Sequence, residues 1–254
     1  RLEAAGGHGA DSPAAAAAGA DMLIAMVVNA DQADAVLFEA GAVDALAPGA
    51  IVVVASTCAP ARVAEMARKV EASGRRFVDA PVSGGTVGAE AGSLTIMAAA
   101  KSDVFADAKP VLATMGANLF HLGETAGQGA AMKIVNQLLA GVHIAVAAEG
   151  LAFAEREGID PAVALEILSG SAASSWMLKN RGPRMVAEDG VVASAVDIFV
   201  KDLGLVLDSG RAAKLGLPLA AAAHQLFIAA SGLGHGGADD SQVIKTYRAL
   251  ATKK

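Results

Sequence analysis

A single cysteine, Cys58, among 254 residues excludes an intramolecular disulfide and suits a reducing compartment, so a cytoplasmic location is expected. With no histidine or lysine beside it, Cys58 reads as a buried or turn residue rather than a reactive thiol. Positive charge is scarce: 20 Lys and Arg against 26 Asp and Glu leave a net charge of -6. No patch is dense enough to collect phosphates, which argues against a nucleic-acid binder. The five histidines are scattered, and no His, Cys and carboxylate spacing marks a metal site. Long apolar runs are missing too. The mean hydropathy of +0.47 derives largely from alanine and from strands too short to span a bilayer. The longest apolar helix, Leu138 to Ala154, is interrupted by His143 and Glu149, so no transmembrane helix is expected. The chain opens without methionine and without the charged start and apolar core of a signal peptide.

Another absence concerns glycine at a particular place. A dinucleotide-binding domain opens with a strand, a G-x-G-x-x-G turn and a helix whose N-terminus receives the pyrophosphate, and no such opening is found. Gly6-Gly7-His8-Gly9 has a different spacing and follows a helix end rather than a strand, so it reads as a connection.

What is present changes period along the chain. Up to about Leu122, short apolar strands (Met22 to Val28, Ile51 to Ala55, Arg76 to Asp79, Leu94 to Ala98) alternate with alanine-rich helices, an α/β pattern with buried strands. Pro13, Pro48, Pro60 and Pro110 punctuate it at helix starts or loops. From Gly127 onward, helical periods take over: Ala130 to Glu157, Pro161 to Ser169, Trp176 to Ala187, Val196 to Leu215 and Pro218 to Ser231. Asp160 is the expected N-cap of the second, with Pro161 in its first turn. The expected fold is an α/β Rossmann-type domain over residues 1–124, without the phosphate loop that opens such a domain, followed by an all-α domain over residues 125–254. The alanine-rich helical half must bury a broad apolar surface, which predicts self-association through it.

Four segments carry chemistry. In Gly127-Gln128-Gly129-Ala130-Ala131-Met132-Lys133-Ile134-Val135-Asn136-Gln137, a glycine-rich turn opens a helix that presents the Lys133 amine, and Asn136 and Gln137 share its face. Taken alone, such a run is more often a solvated helix face. In Phe77-Val78-Asp79-Ala80-Pro81-Val82-Ser83-Gly84-Gly85, an apolar strand runs into a turn whose backbone N–H groups and Ser83 hydroxyl can hold a carboxylate; a tight connection needing positive φ is the plainer reading. Ser56 and Thr57 follow Val52-Val53-Val54 at a strand end, where open α/β sheets place ligands, and can equally form a turn or cap before Pro60. Lys201-Asp202 alone reads as a surface lysine and a helix aspartate. His143 and the lone Trp176 read as a core histidine and a packing anchor.

Together these segments resemble the β-hydroxyacid dehydrogenase family over essentially the whole chain, from Ala20-Asp21 to the Asp239-Asp240-Ser241-Gln242-Val243-Ile244-Lys245 tail. The resemblance implies metal-free hydride transfer between NAD or NADP and a small anionic hydroxy acid, with Lys133 as the acid–base group. It places Ser83, Gly84 and Gly85 on the substrate carboxylate, Asn136 or Gln137 on the reacting oxygen, and Asp202 beside the substrate. Asn29, Ser56, Thr57 and Lys201 lie toward the cofactor. An unperturbed lysine titrates near about 10.4, so a base near neutrality requires burial or a neighbouring cation such as Lys201. Against the family, the chain starts after the first strand, the phosphate loop and the second strand, which carries the residue that selects the cofactor; NAD is favoured by resemblance alone. Ser194 stands where many relatives have phenylalanine and permits a more polar substrate. Gln137 stands where many have asparagine, and Val28 or Asn29 where many have proline. The longest matches, among them Met26 to Ala30, Gln137 to Ala145 and Ser175-Trp176-Met177, are similar to the branch that oxidises L-threonate. 3-Hydroxyisobutyrate and tartronate semialdehyde chemistry are alternatives on the same machinery. A non-catalytic helical assembly module is the alternative of another class.

Overall fold

A computed structural model describes residues 2–187, 190 and 192–249, and the chain divides into two compact units, Arg1–Lys133 and Ile134–Lys254. In the first, β1 (Met22–Ala25), β2 (Ile51–Val54) and β3 (Arg76–Asp79) form a parallel sheet in that order. Strand β2, Ile-Val-Val-Val, is buried along its whole length, as β-branched residues in a central parallel strand covered on both faces should be. Its side chains alternate: Val52 and Val54 join one apolar cluster with Leu37, Met66 and Phe77, and Ile51 and Val53 join another with Val78, Ile96 and Leu112. A second sheet contains β4 (Val82–Ser83), β5 (Thr95–Ala98) and β6 (Asn118–His121), with β4 antiparallel and β6 parallel to β5. The two sheets meet where Asp79 and Ala99 exchange both backbone hydrogen bonds, at 3.0 and 2.8 Å. Helix α1 (Pro13–Ala17) precedes β1, and α2 (Ala30–Asp34), α3 (Ala42–Ala45), α4 (Pro60–Ala72), α5 (Gly85–Glu90) and α6 (Ser102–Met115) connect successive strands.

Three local departures from the expected pattern have physical reasons. Strand β1 stops at Ala25 rather than Val28, because the Val27 N–H donates to Ser56 Oγ (2.9 Å) instead of entering the ladder. Pro110 lies inside α6 rather than at a helix start or loop. Both it and Ala106, whose carbonyl loses its helical partner to the ring, face solvent, where water can replace the missing bond. Strand β6 was not foreseen; Asn-Leu-Phe-His is a largely exposed edge without apolar alternation, and only its pairing with β5 defines it.

Helix α7 (Gln128–Arg156) begins in the first unit and runs on into the second, which adds α8 (Pro161–Gly170), α9 (Trp176–Ala187), α10 (Val196–Ala212), α11 (Pro218–Ala230) and α12 (Ile244–Ala249). Their core gathers Ile144, Leu151, Met185, Leu203, Phe227 and Ile244, with the Phe199 and Phe227 rings stacked at 5.2 Å. Asp160 caps α8 as expected, accepting the Ala162 N–H at 2.7 Å, with Pro161 first in the helix. Helix α10 ends three residues early: Lys214 turns left-handed and the Leu215 N–H returns to the Gly210 carbonyl. By length and composition α7 could cross a membrane, contrary to expectation, but half of its most apolar stretch is buried within the protein.

Candidate active site

Lys133 owes its place to the start of α7. The residue before the helix is Gly127, which has no side chain to cap it, and the cap comes instead from the end of β3. Asp79 Oδ2 accepts the N–H of Gly127 at 2.8 Å and of Ala130 at 2.9 Å, satisfying donors that a helix start otherwise leaves unpaired. The approach is close enough to demand glycine. A Cβ at Gly129 would lie 2.4 Å from the Met97 carbonyl oxygen and 2.9 Å from that of Asp79, and one at Gly127 would lie 2.9 Å from the Pro60 carbonyl oxygen. Asp79 is buried, and burial pushes its carboxyl up to about 6 against the three backbone N–H groups that pull it down. Lys133, one turn beyond Ala130, is itself only 7% exposed.

Farther along the same face of α7 the side chains form a chain of contacts. Asn136 Nδ2 donates to Gln137 Oε1 (2.8 Å), Gln137 Nε2 donates to Asp202 Oδ2 (2.5 Å), and the Lys201 ammonium pairs with Asp202 Oδ1 (2.7 Å). Gln137 and Asp202 are both buried. Four residues selected from two distant segments thus meet in one network, and Gln137 has both polar ends of its amide engaged within it.

The other candidates are held by local networks of the first unit. Ser83 pairs with Thr95 in the β4–β5 ladder, and Gly84 and Gly85 turn the chain into α5 with φ of 132° and 63°, so the expected positive-φ connection and the expected binding turn are one segment. Asn29 Oδ1 caps α2 by accepting the Gln32 N–H, while Gln32 Oε1 accepts the Val28 N–H in return. The Ser56 hydroxyl is buried, joining the ends of β1 and β2 through Val27 and Ala25; Thr57 follows it in the same loop. Beside these strand ends Met26 and Val28 are 64% and 48% exposed. Among the described residues no strand runs directly into a G-x-G-x-x-G turn.

Two polar groupings escaped the reading of the sequence. Asp79 was visible only as part of a turn motif, because its partners are 48 and 51 residues away. In the second unit Asp240, fully buried, takes Arg181 through two hydrogen bonds, Nε to Oδ1 (2.8 Å) and Nη2 to Oδ2 (2.9 Å). Its neighbour Asp239 accepts from Arg184 Nε and from the Ala193 and Ser241 N–H groups. Burial pushes Asp239 up, but these donors outweigh it and hold its carboxyl below the usual range. The acidic doublet in the tail was the one available signal.

Comparison with known proteins agrees with this architecture. Residues 1–123 match the NAD binding domain of 6-phosphogluconate dehydrogenase, and residues 127–247 match the NAD-binding of NADP-dependent 3-hydroxyisobutyrate dehydrogenase. An L-threonate dehydrogenase of Cupriavidus necator is 46% identical over 203 residues, 80% of this chain and 68% of the relative. One of Escherichia coli is 44% identical over 205 residues, 81% of this chain and 68% of the relative. The crystal structure of a 3-hydroxyisobutyrate dehydrogenase from Salmonella typhimurium superimposes with a TM-score of 0.85 at 45% identity, covering 89% of this chain and 79% of that one. These matches leave the non-catalytic module without support. With a Rossmann-type unit, a helical unit and matches to dehydrogenases along nearly its whole length, the chain belongs to the NAD(P)-dependent β-hydroxyacid dehydrogenase family.

Proposed function

We propose that the protein oxidises L-threonate at a secondary hydroxyl, in the cytoplasm, with Lys133 as the acid–base group and NAD as the preferred cofactor. The observation that carries the reading is the buried network of Asn136, Gln137, Asp202 and Lys201 on and beside the helix that bears Lys133. Residues 1–124 would hold the dinucleotide, with Asn29, Ser56 and Thr57 as contacts from that unit, and residues 125–254 would add Lys201 for the cofactor and Asn136, Gln137 and Asp202 for the substrate. A bound nicotinamide supplies the hydride acceptor. Lys133, as a neutral amine, takes the substrate hydroxyl proton in oxidation and, as an ammonium, returns it in reduction. Because Gln137 is engaged at both ends, it serves to orient Asn136, whose second Nδ2 hydrogen is left to donate to the reacting oxygen while the hydroxyl proton goes to Lys133. Ser83, Gly84 and Gly85 hold the carboxylate, and Lys201 adds positive charge on the cofactor side. The identities to L-threonate dehydrogenases and the polar Ser194 favour a polyhydroxylated acid over 3-hydroxyisobutyrate or tartronate semialdehyde. Initial rates with each substrate and NAD, using the full-length protein, test this: kcat/KM should be highest for L-threonate, and preference for either alternative would discard the substrate while keeping the chemistry.

We also propose a homodimer or homotetramer formed through the helical unit. On α7, Val135, Leu139, Val146 and Phe153 are each at least half exposed and follow one another at one-turn and two-turn spacings on one helix face, the pattern of a helix seam. Sedimentation at micromolar concentration should show a species larger than a monomer; a single monomeric boundary would refute it.

A further inference from the structure

We propose that Asp79 is a positioning residue for the reaction, its carboxylate setting where the first turn of α7, and with it the Lys133 amine, comes to rest. The inference rests on the acid–base role of Lys133.

Asp79 is fixed on both sides. Its backbone N–H and carbonyl are bonded to Ala99 at the junction of the two sheets, so the residue cannot follow α7 if the helix moves. Its Oδ2 then grips the helix at two points one turn apart, Gly127 and Ala130. Attraction is opposed by contact: Gly129 brings the helix backbone against the Met97 and Asp79 carbonyls so closely that no Cβ fits. A hydrogen bond on one side and a steric stop on the other leave little freedom along the line between β3 and α7. Lys133 follows Ala130 by three residues and so lies on the same helix face one turn farther on. Movement of the anchored turn is therefore passed to the amine with little loss, and a displacement of about 1 Å at a reacting group can cost about 100-fold in rate. Hydrogen bonds to an ionised acceptor are the stronger kind, and with a carboxyl that titrates near 6, Asp79 is ionised under mildly alkaline assay conditions.

A residue that merely stabilised the fold would lower the melting temperature and leave turnover per folded molecule alone. A cycle of variants separates the two roles. Asp79→Asn keeps the volume and one acceptor oxygen but removes the charge; at pH about 8 it should lower kcat about tenfold or more while NAD affinity changes less than about twofold. In the Lys133→Ala background the same substitution should change the residual rate less than about twofold, since the group it positions has gone. Equal losses in both backgrounds, or none in either, overturn the proposal. Lys133→Ala turnover within about threefold of wild type overturns the acid–base assignment instead. Should Asp79→Asn not fold, Asp79→Glu carries the same cycle, because the added methylene keeps the charge but displaces the anchor.

Discussion

Replacing Lys133 by alanine is expected to lower kcat by about two to four orders of magnitude, the usual contribution of a positioned proton-transfer group. Removal of the hydroxyl proton and departure of hydride are coupled, so losing the amine raises the barrier for the step itself rather than weakening attachment of the substrate. Loss should therefore appear in kcat and kcat/KM together, with the dissociation constant for the dinucleotide little changed. Arginine should not restore the rate, since a guanidinium stays protonated and cannot take a proton near neutrality. The measurement is steady-state turnover of L-threonate at saturating NAD. Turnover within about threefold of wild type would show that Lys133, despite its burial, is not the acid–base group.

The second large effect lies in the helical unit and concerns stability. Asp240→Ala removes both carboxylate acceptors of Arg181, a residue only 9% exposed, and leaves its guanidinium with the neutral Asn180 Oδ1 as its remaining side-chain acceptor. An uncompensated buried charge of this kind costs about 3–5 kcal/mol, because the desolvation already suffered by the arginine is no longer offset. Burial pushes the Asp240 carboxyl up while Arg181 draws it back, and burial prevails; the pair is held in a poorly solvated place rather than at a surface. It follows that removing both charges should be far milder than removing one. Arg181→Met with Asp240→Leu should recover most of the loss. Urea unfolding of the wild type and the two variants tests this, and a cost for Asp240→Ala below about 1 kcal/mol would mean that the pair behaves as an exposed one.

The fold was legible where the relevant physics is local. Helix α9 and strand β3 begin and end at the expected residues, because Trp176 to Ala187 carries a helical period and the short apolar pair of Arg76 to Asp79 sits between the turn residues Gly74 and Pro81. Lys133, Asn136 and Gln137 could be placed on one face from helix spacing alone. The meeting of Asn136 and Gln137 with Lys201 and Asp202 came from resemblance, since Asp202 lies 65 residues beyond Gln137 and no local pattern reports that distance. For the same reason Asp79 and Arg181 remained unremarked: their importance depends on burial and on partners from remote elements. Pro110 misled because a proline signals a break, and the sequence does not say that its face of α6 meets water.

The steric stop at Gly129 also bears on ancestry. No change in the meaning of a glycine codon avoids adding a Cβ, and here that atom would arrive 2.4 Å from a backbone oxygen that cannot step aside. Solvent-facing Ala131 and Met132, two and three residues on, are under no such restraint. Among descendants of this gene that keep the enzyme, residue 129 should remain unvaried while its neighbours drift.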